Sequence, residues 1–584
     1  MDHKRRALVR TLGAGSTLVL AGCGGGGGGG GSPPVGNPEA PNQPTDPGTP
    51  TPPSPEPETP APPNVRFLHG VASGDPLSTQ VILWTRVTPE EDAVVTVTAT
   101  VATDPAMTAV VAQYQAVASA DGDYCVKVDA TGLLPGRWYY YRFEVGQQRS
   151  PVGRTRTFPA SWNAVDRARF AVVSCSNFPN GYFSVYKAVA ELGDLDFVLH
   201  LGDYIYEYGA GEYGDFPERV PDPPHEIVTR EDYRRRHAQY KTDEDLQALH
   251  QQFPMIAIWD DHESANDSWH GGAENHDPLT EGVWEQRKNA ARDVYFEWMP
   301  IRPREPGNTD VIYRRFHFGD LLDLTLLDTR LESRDAPLPA VAGSLDPKRN
   351  APDRRLISTE QMDFLLDGLD NARGHWRFIG QQVMFSQLNI LEIPGLTPAM
   401  KGQLLAINMD QWDGYTADRD TILKHLEDHR IDNVIVLTGD IHTSWANELY
   451  RNPAVLVGDL FARPLAAEFV TPSVTSPGFP EGLAELASVA LPVVNPHIRY
   501  TELKTHGFIL VDVTRARAQA EYYYVNSIDA YDLRGQLNDR LTKVVAVESG
   551  NSRIKEDLPV SRPRTLRTAL FHPPVEPNQE EVMS

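Results

Sequence analysis

Hydrophobic and polar positions change their rhythm along this chain. Between residues 64 and 160 the apolar runs are short: Val81–Thr85, Val94–Ala102, Tyr124–Val128 and Trp138–Val145. β-Branched residues alternate through Val94–Ala102, and turn signals such as Leu134-Pro135-Gly136 fill the gaps. Short strands with regular turn signals predict a small all-β, immunoglobulin-like sandwich over 64–160. Cys125 falls inside one of these strands and reads as a core residue.

From Arg169 onward, within a second domain spanning 168–584, apolar strands run straight into polar, chemically capable residues. Phe170–Ser174 ends at Cys175-Ser176-Asn177, and Phe197–Leu201 at Gly202-Asp203-Tyr204-Ile205-Tyr206. Met255–Trp259 ends at Asp260-Asp261-His262-Glu263, Leu322–Leu327 at Asp328-Thr329-Arg330, and Val434–Leu437 at Thr438-Gly439-Asp440-Ile441-His442. Helical segments lie between, among them Tyr182–Leu192, Trp284–Trp298 and Thr359–Asp370. Such alternation predicts an α/β (α+β) domain, and α/β sheets bind ligands beyond the carboxyl ends of their strands. One Asp at a strand end is an ordinary helix cap. Five such ends delivering Cys, Asp, Tyr, His and Asn predict one assembled site.

The first 63 residues follow neither rhythm. Lys4, Arg5 and Arg6 precede a short apolar stretch, the layout of an export signal, and Arg5-Arg6 resembles the twin-arginine type. Leu20-Ala21-Gly22-Cys23 looks like a bacterial lipobox, making residues 1–23 a lipoprotein signal with Cys23 as the lipidated residue. Residues 24–63 then form a tether: Gly24–Gly31 is unbroken glycine, and 14 of the 32 residues from Ser32 to Pro63 are proline. At about 3.1 Å per residue the proline-rich part reaches up to ~100 Å. The expected product is an exported enzyme, lipid-anchored at a bacterial membrane and facing the periplasm or cell surface.

Composition narrows the classes. Of 584 residues 40% are hydrophobic, which excludes a wholly disordered chain. No apolar run reaches the roughly 18 residues of a membrane-spanning helix. A net charge of −25 argues against a nucleic-acid-binding surface. Three cysteines are too few for a disulfide framework.

The strand-end residues point to a metal cluster. There is no Gly-x-Ser-x-Gly elbow and no Walker-type loop. Crowded carboxylates repel one another and need bound cations to remain ionised together. Oxygen ligands favour Ca, Mg or Mn, whereas thiolate and tyrosinate favour a transition ion such as Fe(III), so the mixed donors predict mixed metals. Arg330 reads either as a clamp on substrate phosphate or as a structural ion pair.

Several segments together resemble the PhoD-type alkaline phosphatases. Phe67–Pro76 and Val81–Arg86 resemble that family's N-terminal domain; Ser174–Asn177, Gly202–Tyr206, Trp259–Glu263 and Gly439–His442 match its metal motifs in order. Gln381–Phe385, Trp412–Tyr415, Glu468–Ser473 and Asn495–His497 extend the likeness over roughly 64–530. The resemblance implies a metallophosphatase-like β-sandwich core flanked by helices, related to purple acid phosphatases, with Fe(III) and Ca(II), zinc and manganese being the alternatives. By motif position, Cys175 and Tyr206 would bind iron and Asp203 would bridge metals. Asp261, Asp440 and His442 would complete the ligands, with Asn266 as a further metal residue beside the unassigned Asp260 and Glu263. His262 would contact phosphate and, with Asp203, serve catalysis. The implied activity is metal-dependent hydrolysis of phosphoesters through an activated water or hydroxide, carried out by a monomer on small molecules or phosphate-containing polymers. A phospholipase D-like phosphodiesterase and a non-catalytic metal- or phosphate-binding lipoprotein are the alternatives.

Overall fold

The computed structural model describes residues 62–339, 344–459 and 461–564. The signal, the lipobox with Cys23, nearly all of the tether and the last twenty residues lie outside them. Among the described residues no helix is long and apolar enough to cross a membrane.

Two large mixed sheets form the framework. In the ten-stranded sheet, Arg167–Val173, Phe197–His200 and Met255–Ala257 run parallel side by side, Phe170 opposite Phe197 and Val198 opposite Met255. Gly507–Thr514 joins them antiparallel along Arg167–Val173. In the seven-stranded sheet, Leu322–Leu326, Trp376–Gln381, Val434–Thr438 and Ala466–Val470 are consecutive parallel neighbours. All of these central strands are buried, as near-continuous apolar runs require when both faces are covered.

The sheets pack face to face. One apolar cluster unites Phe170, Val172 and Leu199 of the first with Leu324, Phe378 and Leu437 of the second. Phe170 meets Phe378 edge to face at 5.8 Å between ring centroids, a favoured aromatic geometry. The parallel strands deliver their carboxyl ends to one side, so the polar residues that follow them meet there. The five strand ends therefore come from two sheets, not from a single open one.

The helices form where their sequences support them. Trp284–Trp298 and Thr359–Asp370 span the residues their periodicity predicts. Ser358 caps the latter by accepting from Gln361 N–H.

Residues 64–160 do enclose a core of their own, built on Val81, Leu83, Val97, Val101, Tyr141 and Phe143. A freestanding sandwich is not what forms, however. Val71–Gly74, Gln80–Arg86 and Cys125–Thr131 continue the ten-stranded sheet beyond Met255–Ala257. Only Val95–Ala102, Val110–Ala118, Trp138–Val145, Gln148–Arg149 and Gly153–Arg156 make the separate second sheet. The described residues constitute one compact unit.

Candidate functional site

The loop leaving Phe197–His200 and the loop leaving Met255–Ala257 touch at Gly202. A Cβ there would lie 2.4 Å from Asp260 Cβ and 2.6 Å from its backbone nitrogen, and φ is +105°, so only glycine fits. Cys175, Asp203, Asp440 and His442 all adopt positive φ between 55° and 64°. For side-chain-bearing residues this conformation costs roughly 1–2 kcal/mol each and persists only where surroundings impose it. Cys175 N–H donates to Gly202 O at 3.2 Å, Ser176 N–H donates to Asp203 O at 2.9 Å, and Gly439 N–H donates to Gln382 O at 2.9 Å. Glu263 closes the frame: its carboxylate accepts from the N–H groups of Asp203 (3.0 Å), Tyr204 (2.5 Å) and Asp260 (2.7 Å).

The side chains so placed converge. Cys175, Asp203 and His442 offer donor atoms within 4.8 Å of one another, as do Asp260, Asp261 and Asp440, and Asp203, Asp261 and His262. Tyr206 Oη lies 2.9 Å from Asp203 Oδ2, 3.2 Å from His442 Nε2 and 2.7 Å from Ser476 Oγ. His262 Nδ1 is 2.7 Å from Glu207 Oε2, and the Tyr206 ring stacks on the imidazole at 4.1 Å. A cavity of about 370 Å³ opens over Asp203, Asp261, His262, Asp440 and His442.

These donors fit metal ions. Asp260 Oδ2 and Asp261 Oδ1 are buried without a hydrogen-bond partner, and one guanidinium, Arg330 with Nη2 3.6 Å from Asp261 Oδ1, leaves these carboxylate oxygens incompletely satisfied. Burial, with Asp203 adding, pushes the Cys175 thiol and the Tyr206 phenol well above their ordinary values. Burial also lifts Asp440 to about 7; Arg330 opposes the rise while Asp410, Asp261 and Asp203 add to it. Nearby multivalent positive charge reverses each of these shifts and yields anionic ligands.

The model for PhoD-like phosphatases matches residues 170–522, and that for their N-terminal domain matches residues 53–159. Alkaline phosphatase D of Bacillus subtilis (strain 168) is 37% identical over 468 residues, 78% of this chain and 77% of the relative.

The chain belongs to the PhoD-like phosphatase family.

A solved structure of PhoD superposes with a TM-score of 0.74 at 32% identity, covering 87% of this chain and 94% of the other. Within this PhoD-like framework most residues singled out in the sequence come together: Cys175, Asp203, Tyr206, Asp261, His262, Asp440 and His442. Asn266 lines the same cavity, but its amide donates to Glu274 Oε2 at 2.6 Å.

Arg330 does not line the cavity. It is fully buried beneath the carboxylates, with Nε 2.5 Å from Asp260 Oδ1, Nη1 2.8 Å from Asp410 Oδ2, and Nη2 bonded to Asp440. Of its two readings the structural ion pair is the one seen; a guanidinium so engaged is not a phosphate clamp. His200 likewise packs, its Nε2 2.8 Å from Tyr186 Oη. His497 bonds Gln387 O at 2.8 Å and lines a different cavity. Trp412 is buried and donates to Gln381 Oε1 at 3.1 Å.

Four contributors carry no legible sign in the sequence. Glu207, Ser476 and Tyr213, which lines the cavity with its ring stacked on Tyr206 at 5.8 Å, lie in loops without regular periodicity, and Asp410 ends a helix. Only the adjacency of Glu207 to Tyr206 offers a hint.

Proposed function

We propose that this protein is an exported, metal-dependent phosphoester hydrolase of the alkaline phosphatase type. The observation carrying this reading is the convergence of Cys175, Asp203, Tyr206 and His442 beside the Asp260–Asp261–Asp440 carboxylates under one open cavity. Cys175, Tyr206 and His442, with Asp203, suit Fe(III); Asp203, Asp261, Asp440 and the unpartnered Asp260 oxygen suit Ca(II). When bound, such ions offset the charge of the phosphoryl oxygens and make water a competent nucleophile.

The chain's own groups do the rest. Glu207 occupies His262 Nδ1, which leaves Nε2 as the nitrogen available to substrate. Burial alone would lower the His262 pKa, but Glu207, Asp261 and Asp203 outweigh it and hold the imidazole well above its usual range. An imidazolium on the cavity wall can stabilise charge on phosphoryl oxygen and hand a proton to the leaving oxygen. Arg330 keeps the carboxylates from repelling one another without leaving the interior.

A second reading, phosphodiester hydrolysis, draws support from the apolar part of the cavity lining. Leu404, Ile407, Phe479 and Leu483 line it together with the acidic residues, a surface suited to an apolar alcohol moiety. Purified enzyme assayed on a chromogenic monoester and the matching diester decides among the readings. Turnover of either excludes a purely binding role, and the rate ratio separates monoesterase from diesterase.

Export and anchoring rest on Arg5-Arg6 and on Leu20–Cys23. Cys23→Ala is expected to keep full activity while moving the protein from the membrane to the soluble fraction. Unchanged membrane retention would remove the lipid anchor from this reading.

A further inference from the structure

A second group of side chains with metal-ligating atoms, none of them lining the cavity described above, lies near the surface. Asp370 is the last residue of the helix Thr359–Asp370, and His425 and His429 sit four apart in the last turns of the helix Thr416–His429. That spacing puts both imidazoles on one helical face. His425 Nε2 lies 3.0 Å and His429 Nδ1 2.7 Å from the same atom, Asp370 Oδ1. The ring centroids are 3.9 Å apart, and one donor atom from each of the three residues falls within 4.8 Å of the others.

The geometry is close to what a first-row ion requires. Imidazole nitrogen and carboxylate oxygen bind zinc at about 2.0–2.2 Å, which sets neighbouring donors in a tetrahedron about 3.3 Å apart. The His425–Asp370 separation of 3.0 Å needs to open by about 0.3 Å and the His429–Asp370 separation of 2.7 Å by about 0.6 Å. The side chains of His425, His429 and Asp370 are 14%, 49% and 35% exposed, so an ion can enter from solvent and complete its shell with water. His429 also stands at a helix C-terminus, whose carbonyl field favours positive charge.

We propose that Asp370, His425 and His429 form a surface site for a late first-row divalent ion (zinc, copper or nickel). Two imidazoles and one carboxylate select these ions over calcium, which takes oxygen ligands. Neutral imidazole binds through its lone pair: His425 keeps its proton on Nδ1 and His429 on Nε2. The ion joins the end of one helix to the end of another, a link that stabilises the folded chain by mass action.

The test is a zinc titration of full-length, metal-replete enzyme by calorimetry, comparing wild type with His425→Ala/His429→Ala. Wild type is expected to bind one more zinc than the double variant and to melt at higher temperature when zinc is added. The double variant should show no zinc-dependent rise from this site, and turnover should be the same in both. Copper added to wild type should give an electron-paramagnetic-resonance signal split by two nitrogens, absent from the variant. His429→Ala, at the most exposed of the three positions, should by itself weaken the extra zinc site at least tenfold. Equal zinc stoichiometry and affinity in all three proteins would overturn the proposal, as would a copper spectrum unchanged in the double variant.

Discussion

Glu207 Oε2 lies 2.7 Å from His262 Nδ1, and its other oxygen accepts the Asn266 N–H at 2.7 Å. A fully buried carboxylate thus fixes the orientation of the imidazole that faces the cavity and raises its basicity.

Glu207→Gln preserves an oxygen acceptor but removes the charge. His262 then loses its principal source of positive character, and its pKa should fall. The expected result is a drop in kcat of about 10- to 100-fold with KM little changed, accompanied by a shift of the alkaline limb of the rate profile to lower pH. A variant with wild-type kcat and an unmoved profile would show that Glu207 merely fills space.

Glu263 is the point at which two ligand-bearing loops are tied. Its oxygens accept three backbone N–H groups from Asp203, Tyr204 and Asp260. Glu263→Gln turns an NH2 toward donors that need an acceptor. Leaving such a buried group unpaired costs about 1–3 kcal/mol. Denaturant unfolding should register that loss, and metal content by elemental analysis should fall with it. Full metal content at wild-type stability would contradict the tie.

Much of this arrangement was legible in the sequence because the signal recurs. Asp203, Asp261 and Asp440 each follow an apolar run, and the parallel strands carry those runs to one side. The residues missed are those that act by geometry alone. Val110–Ala118 is an edge strand with Gln113 and Gln115 among exposed valines, so its alternation is blurred. The continuity of Gln80–Arg86 with the main sheet depends on Val71–Gly74 pairing both with it and with Met255, a contact of high sequence separation that no local pattern encodes. Arg330 illustrates the same limit: an arginine after a strand looks the same whether it points into a cavity or beneath it.

Tyr206 and Tyr204 provide an internal contrast. Tyr206 Oη sits among Asp203, His442 and Ser476. Tyr204 Oη points elsewhere, 2.8 Å from His250 Nε2 and 2.9 Å from Lys241 Nζ. Phenolate and thiolate bound to Fe(III) absorb visible light, so purified enzyme is expected to be coloured. Tyr206→Phe should shift or remove much of that band and weaken iron retention, while Tyr204→Phe should leave the spectrum intact. An active but colourless, iron-free enzyme would overturn the iron reading. A spectrum unchanged in Tyr206→Phe would keep iron and dismiss Tyr206 as its ligand.

Lys241 lends the fold a pH dependence of its own. The side chain is buried against the Trp84 and Tyr204 rings, and among the described residues its ammonium hydrogen-bonds Tyr204 Oη and His250 Nε2. Burial lowers its pKa from 10.5 to about 7. Below pH 7 the folded and unfolded chains are both protonated at this lysine, and the folded state bears the full cost of a buried charge. Between pH 7 and 10.5 the unfolded chain holds a proton that the folded chain has released, so stability rises with pH, by at most about 1.4 kcal/mol per unit. Above 10.5 the contribution levels off. Lys241→Met keeps the length and apolar contact but cannot titrate. Unfolding free energies measured at pH 7 and pH 9.5 should therefore increase more in wild type than in the variant. An equal increase in both proteins would show that Lys241 stays charged in the folded chain and that its surroundings compensate the burial.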